Sequence, residues 1–377
     1  MTPTQRRLPV TVVTGFLGAG KTTLLRQLLL HSGQRLAVVV NEFGEVGIDG
    51  DLIRSCGFCP EDELDARLIE LANGCLCCTV QDDFLPTMER LLQRADQLDG
   101  IVVETSGLAL PEPLVAAFGW PQIRARTRVH AVVTVVDGEA LANGHVVAHP
   151  EALEAQRLAD PSLDHCDAID DLFAEQLEAA DLVLVSRADL LSAAELERIT
   201  ATLRPRCRQG IPVLPAGQGT IDADLLLGTV DDDTSPRHHR SHGPSAEAHD
   251  HHDDHHDEHG HGHHDHSHVP MESVAITLRG HWNQVQLEET LRRLIAEHGL
   301  IRAKGWLAMP GKERLLQIQA VGPRLQCWFE GQQTPGTADK GQALLQLVLL
   351  GFQLDRSRLE QHLTAMPQVP SAAATTA

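Results

Sequence analysis

This sequence predicts an α/β fold in two parts: a mainly parallel sheet covered by helices, and a smaller C-terminal α+β unit with an antiparallel sheet. Three observations carry the expectation. Residues 8 to about 228 alternate short apolar, β-branched runs with longer helical patterns. Near-continuous apolar strands separated by helices mark a parallel sheet buried on both faces. The tract 231–268 then interrupts the chain with no apolar periodicity, and beyond it a long amphipathic helix is followed by consecutive strand-like runs.

The first predicted strand is Val10–Thr14, and a helix is predicted to run through Thr23–Leu30. Between them, Gly15-Phe16-Leu17-Gly18-Ala19-Gly20-Lys21-Thr22 satisfies G-x-x-x-x-G-K-[ST] at every fixed position. In a strand–loop–helix context the glycines let backbone N–H groups close around phosphates, and the helix N-terminus adds a favourable dipole. Gly15, Gly18, Ala19, Gly20, Lys21, Thr22 and Thr23 are therefore the expected phosphate contacts. Lys21 is expected to reach the β- and γ-phosphates and the Thr22 hydroxyl to hold Mg²⁺. A nucleoside triphosphate is the expected ligand.

The second predicted strand, Leu36–Asn41, runs into the acidic, glycine-rich stretch 42–51, which holds Glu42, Glu45 and Asp49. A segment so placed can order around Mg²⁺ and a γ-phosphate and relax after hydrolysis, and its carboxylates can complete a metal site. Next come the thiols. Cys56 and Cys59 form C-x2-C, and fifteen residues later Cys75, Cys77 and Cys78 form C-x-C-C. Thiolates are soft ligands suited to Zn²⁺ and similar ions. The spacing leaves two arrangements open: one closed structural zinc site, or an exchangeable site on Cys75, Cys77 and Cys78 with Cys56 and Cys59 auxiliary. Cys166, Cys207 and Cys327 are isolated and read as core or surface thiols.

Ile101–Glu104 is a third strand ending in an acid, and Glu104 is placed to bind Mg²⁺ through water or to orient the attacking water. Strands at Ala131–Val136, Leu182–Ser186 and Pro212–Leu214 complete the predicted sheet. The fifth of these predicted strands leads into Ser186-Arg187-Ala188-Asp189. Asp189 can accept from the guanine N1–H and N2–H₂ pair, which adenine lacks, so GTP is favoured. The usual guanine motif is N-K-x-D. Ser186 is too short to copy all the Asn contacts, while Arg187 can lay its stem or guanidinium plane over the base.

Residues 1–230 are thus expected to form the nucleotide unit. The tract 231–268 carries 14 of the 22 His and ten acidic residues against two Arg. It cannot bury a core, and disorder is expected. Residues 269–365 form the second unit. Its predicted elements are a strand at Val274–Leu278, a helix at Gln286–His298 with Leu287, Leu291, Leu294 and Ile295 on one face, and strands at Ile301–Met309 and Arg314–Ala320. Apolar runs at Leu325–Phe329 and Leu344–Leu350 follow, then a short helix from about Asp355. Residues 366–377 read as a loose tail.

Composition narrows the function. A net charge of -21 with 3% aromatic residues and no Tyr argues against nucleic acid, which calls for basic patches and stacking platforms. No apolar run approaches the roughly 20 residues of a membrane span. A cytoplasmic location is expected, where eight Cys point to metal or redox chemistry more than to disulfides.

Together GFLGAGKTTLL, NEFGEVGIDGD, ELANGCLCCTV, VVETSGLALPEP, the His-rich tract and RAKGWL resemble the CobW family of metal-handling GTPases, over nearly the whole chain. DDFLPTMERLL, LALPEPLVAAFGWP and QAVGPRLQCWF look closest to its cobalamin-biosynthesis branch. The resemblance implies a GTPase that binds a divalent ion and hands it to a client metalloenzyme. Its cysteine motif maps onto Cys75, Cys77 and Cys78, and its acidic switch onto Glu42, Glu45 and Asp49. The cobalamin branch implies Co²⁺ as cargo and the cobalt-inserting chelatase as client; a zinc chaperone of the same family is the near alternative. A His/Cys storage protein with a vestigial GTPase and a P-loop small-molecule kinase are the readings from other classes. Turnover is expected to be slow, because no arginine finger is evident in the sequence. A nucleotide-dependent homodimer is compatible with the sequence.

Overall fold

Seven parallel strands and, after them, five antiparallel ones organise the chain in this computed structural model, which describes residues 7–41, 68–71, 84–147, 150–151, 169–217, 221–228, 271–330 and 341–365. The first sheet is built from β1 (Leu8–Thr14), β2 (Leu36–Asn41), β3 (Leu68–Leu71), β4 (Gly100–Glu104), β5 (Thr127–Asp137), β6 (Leu182–Ser186) and β7 (Val213–Ala216). Their order across the sheet is β3-β2-β4-β1-β5-β6-β7, and every pair is parallel. β1, β4 and β5 are buried along almost their whole length because helices cover both faces. This explains why those segments read as unbroken apolar runs and not as alternating ones.

The helices anchor one face or the other. Leu24, Leu25 and Leu28 of the helix Lys21–His31 pack with Val13, Val38 and Val133. Met88, Leu91 and Leu92 of the helix Leu85–Leu92 join Val10, Val12 and Val103 on the opposite face. The helix Ile169–Ala179 contributes Leu172, Phe173 and Leu177 to a third cluster under β6. The helix Ala193–Leu203 begins with a capping box. The Ser192 side chain accepts from the Glu195 N–H, and the Glu195 carboxylate accepts from the Ser192 N–H.

The second sheet comprises β8 (Glu272–Gly280), β9 (Leu300–Ala308), β10 (Leu315–Val321), β11 (Arg324–Glu330) and β12 (Ala343–Gly351). Its order is β11-β10-β9-β12-β8, all antiparallel. The helices Gln284–His298 and Arg356–Thr364 share its core. Leu287, Leu291, Leu294, Ile295, Leu359 and Leu363 are all at most 2% exposed.

The two sheets are not beads on a string. Ile301 and Val321 of the second unit belong to the same apolar cluster as Leu182 and Leu214 of the first. Polar contacts lock the seam. Arg302 donates to the Leu227 carbonyl (3.0 Å) and Gln326 to the Val129 carbonyl (2.8 Å). Arg128 lies flat over Trp328, 3.7 Å from the ring centre. Asp181, buried at the start of β6, accepts from the Val132 N–H (2.8 Å), from Arg208 (3.0 Å) and from Arg324.

β3 has no counterpart among the predicted strands. It is four residues long at the sheet's edge and lies between two cysteine-bearing stretches, so its apolar signal is short. The expected disorder of 231–268 and of 366–377 concerns residues outside the described ones. No helix among the described residues is long and apolar enough to cross a membrane.

A candidate nucleotide site

Parallel pairing puts the carboxyl ends of β2, β4, β1 and β5 on one edge of the sheet, where ligands of such folds collect. β1 leads directly into the glycine loop. Gly15 adopts φ 137°, and a Cβ there would stand 2.1 Å from the Val135 carbonyl oxygen, so only glycine lets the loop pass this close to β5. Gly20 adopts φ 101° and ends the loop at the start of the helix Lys21–His31. That helix has no side-chain N-cap and no acid in its first turn. Its leading N–H groups and the positive end of its dipole therefore remain suited to an anion.

Lys21 is 6% exposed, donates to the Phe16 carbonyl at 3.2 Å and stands 3.8 Å from the Glu104 carboxylate, itself 3% exposed. The loop after β4 is pressed against the glycine loop. Thr105 N–H donates to the Val13 carbonyl (2.9 Å), and its hydroxyl donates to Thr14 Oγ1 (2.9 Å). A Cβ on Gly107 would approach the Leu17 nitrogen to 2.6 Å. Ser106 is buried and its hydroxyl has no partner among the described residues. An orphaned hydroxyl beside a phosphate cradle fits a polar ligand. Thr22 is half-buried, and Gly18 and Thr23 are exposed, at the mouth of the loop, while Ala19 packs inward.

The far wall comes from β5 and β6. Ser186 donates to the Val136 carbonyl (3.1 Å), and its Cβ lies 3.5 Å from where a Gly20 Cβ would be. Arg187 holds a left-handed backbone (φ 54°), and its guanidinium is engaged by Asp137 at 2.6 Å and Glu139 at 3.6 Å, reaching the Gly18 carbonyl at 3.4 Å. Arg187, expected over the base, is held by Asp137, which also accepts from the N–H groups of Glu139 and Ala140. Asp189 stands exposed on the short turn Ala188–Leu190. Asp137 went unnoticed in the sequence, and Ser106 and Gly107 were given no role of their own. The Val135-Val136-Asp137-Gly138 ending of β5, an acid and a glycine closing a buried strand, was the available signal.

Glu42, Glu45, Asp49, Cys56, Cys59, Cys75, Cys77 and Cys78 lie outside the described residues, as does Cys166. Their strands do not. β4 pairs with β1 and β2 in register, with Glu104 opposite both Val13 and Val40, and Asn41 of β2 is opposite Leu71 of β3. Glu42 follows Asn41 directly, and Cys75 is four residues beyond Leu71. Four residues span at most about 14 Å, and neighbouring strands are about 4.8 Å apart. Of the other cysteines, Cys207 and Cys327 are half-buried. Burial pushes their thiols up to about 11 and about 12, which makes them packing groups and poor thiolate ligands.

Fold and loop together define a P-loop nucleotide-binding protein. Residues 9–214 match the CobW/HypB/UreG nucleotide-binding domain, and residues 271–366 match the cobalamin synthesis protein cobW C-terminal domain. The chain belongs to the CobW family. It is 44% identical over 367 residues to the zinc chaperone CobW of Pseudomonas aeruginosa, covering 96% of this chain and 92% of that one. It is 39% identical to the zinc chaperone CobW of a Sinorhizobium species, covering 96% and 98%. The zinc chaperone YjiA of Escherichia coli is 31% identical over 228 residues, covering 59% and 61%.

Proposed function

We infer that the chain is a GTP-hydrolysing metallochaperone whose cargo is Zn²⁺. One observation carries the coupling: the register that sets the end of β2 beside Glu104, with β3 one strand further out on the same edge. Glu42 follows Asn41 directly and Cys75 comes four residues after Leu71, chain lengths short enough for our reading that both act with a bound γ-phosphate. The names of the relatives favour zinc over the cobalt that the cobalamin branch suggested. Cobalt stays as the second reading because the C-terminal unit matches a domain described by cobalamin synthesis. The ligand types favour Zn²⁺ as well, since Co²⁺ lies below it in the Irving–Williams order.

In this mechanism the N–H groups around Gly18–Thr22 and the Lys21 ammonium hold the triphosphate. The Thr22 hydroxyl would hold Mg²⁺, which would supply positive charge to the triphosphate. Glu104 orients the attacking water, with the Lys21 ammonium 3.8 Å from its carboxylate. Ser186 and Asp137 form the base-side wall through Arg187, and Asp189 selects guanine. Cys75, Cys77 and Cys78, with Glu42 or Glu45, take the metal when the triphosphate orders the stretch 42–51. Hydrolysis relaxes that stretch and frees the ion for a client metalloenzyme. By linkage, metal equally favours the triphosphate state.

The test is phosphate release with Mg²⁺·GTP and Mg²⁺·ATP, with and without Zn²⁺. GTP-specific release that is lost in Lys21→Ala is expected. A phosphorylated small-molecule acceptor in place of free phosphate would make the chain a kinase. Full metal delivery by Lys21→Ala would reduce it to a store.

A further inference from the structure

Away from the nucleotide edge, the last turn of the helix Gln284–His298 meets the helix Arg356–Thr364. There Glu297, His298 and His362 each offer a ligating atom, and these atoms lie within 4.8 Å of one another. Among the described residues it is the one such convergence of His, Cys, Asp or Glu. The two imidazoles meet edge to face, with centroids 5.3 Å apart and planes at 62°. His298 Nε2 and His362 Nδ1 are both shut off from solvent, and neither has a hydrogen-bond partner. A buried polar nitrogen left unpaired is unfavourable, so these two call for a ligand that satisfies both.

The frame around them is rigid. Leu291, Leu294 and Ile295 on one helix and Leu359 and Leu363 on the other belong to one core cluster, which fixes where the two rings sit. Glu297 is exposed and free to swing.

We propose that Glu297, His298 and His362 form a second divalent-cation site, separate from the thiol motif, that takes Zn²⁺ or Co²⁺. Two imidazoles and a carboxylate suit these borderline ions, whereas Mg²⁺ and Ca²⁺ take all-oxygen sets. Three protein ligands leave one tetrahedral position open, as an exchangeable site requires. Metal–ligand bonds of about 2.0–2.2 Å set ligand atoms roughly 3.4 Å apart, so the triad closes by about an ångström, mostly through the Glu297 carboxylate. The ion ties the C-terminal helix to its neighbour, and binding therefore stabilises the native chain. The site also flanks the seam between the two sheets: the Cα of Ala296, next to Glu297, lies 3.6 Å from where a Gly210 Cβ would be. The proposal is independent of the GTPase reading.

The test uses the chain with Cys56, Cys59, Cys75, Cys77 and Cys78 replaced by Ser and residues 236–268 removed, so that other donors do not mask the site. Zn²⁺ is titrated against a chromophoric chelator. One equivalent is expected to bind and to raise the melting temperature, and the Co²⁺ form should show tetrahedral visible bands without thiolate charge transfer. His298→Ala with His362→Ala should abolish the equivalent and the thermal shift up to about 0.1 mM free zinc. Glu297→Gln removes an exposed ligand without touching the core and should weaken binding about tenfold or more. No bound equivalent in the parent, an equivalent that survives loss of both imidazoles, or an unchanged affinity in Glu297→Gln would each overturn the proposal.

Discussion

Replacing Asp181 by Ala tests whether the two sheets act as one body. Three donors converge on this carboxylate, which is 1% exposed: the Val132 N–H from β5, Arg208 from the loop before β7, and Arg324 from β11 in the other unit. Their losses differ. Val132 N–H would be left buried and unpaired, at about 1–3 kcal/mol. Arg324 is 25% exposed and would lose its charged partner at the seam, for about another 1–2 kcal/mol. Arg208 is 43% exposed, is solvated and also donates to the Glu178 and Ala180 carbonyls, so it adds about 0–1 kcal/mol. The expected total is about 2–6 kcal/mol, a range that contains the cost of breaking a buried pair by removing one partner. Urea unfolding followed by far-UV circular dichroism measures it. A double-mutant cycle of Asp181→Asn with Arg324→Gln should give a coupling of about 1 kcal/mol or more, and the same cycle with Arg208→Gln less. An Asp181→Ala variant within about 1 kcal/mol of the parent, or an additive Arg324 cycle, would refute the reasoning.

Three further outcomes follow from the geometry. Gly15→Ala should weaken GTP binding about 100-fold or more by fluorescent-nucleotide titration, because the loop must move away from Val135 to admit the methyl group. Asp137→Asn releases Arg187 and weakens the cap on the next turn, and should lower the GTP-over-ATP preference in competition binding. Acid should unfold the chain early through His130. It is fully buried, and desolvation, reinforced by Arg302, Arg128, Arg324 and Lys304, holds its pKa well below the usual value. The unfolded chain then binds the extra proton, so stability present above about pH 6.5 falls by up to about 1.4 kcal/mol per pH unit below it. His130→Gln should flatten that slope in denaturant titrations across pH 5–7, and an unchanged slope would exclude this origin.

The site was legible where chemistry demands fixed residue types. Gly15, Lys21 and Glu104 announced themselves because a phosphate cradle tolerates few alternatives at those positions. Most strands were legible too, since burial on both faces makes β1, β4, β5 and β6 apolar throughout. β3 was missed because four residues at an edge give too short a run. The Arg187–Asp137 pair was not legible, because the two residues are fifty apart and pairing across two parallel strands leaves no local trace. The seam was equally hidden. Arg302 looks like an exposed strand residue in sequence but is 4% exposed, and burial lowers its pKa to about 10. The Glu297–His298–His362 cluster joins two helices 64 residues apart, a spacing no short motif records.

Zinc affinity as a function of nucleotide probes the coupling most directly. The full chain, loaded with Mg²⁺ and a non-hydrolysable GTP analogue or with Mg²⁺·GDP, is titrated against a competing chelator. Triphosphate should tighten binding at Cys75, Cys77 and Cys78 by about tenfold or more, and Zn²⁺ should tighten the triphosphate by the same factor. Equal zinc affinities in the two nucleotide states would contradict it.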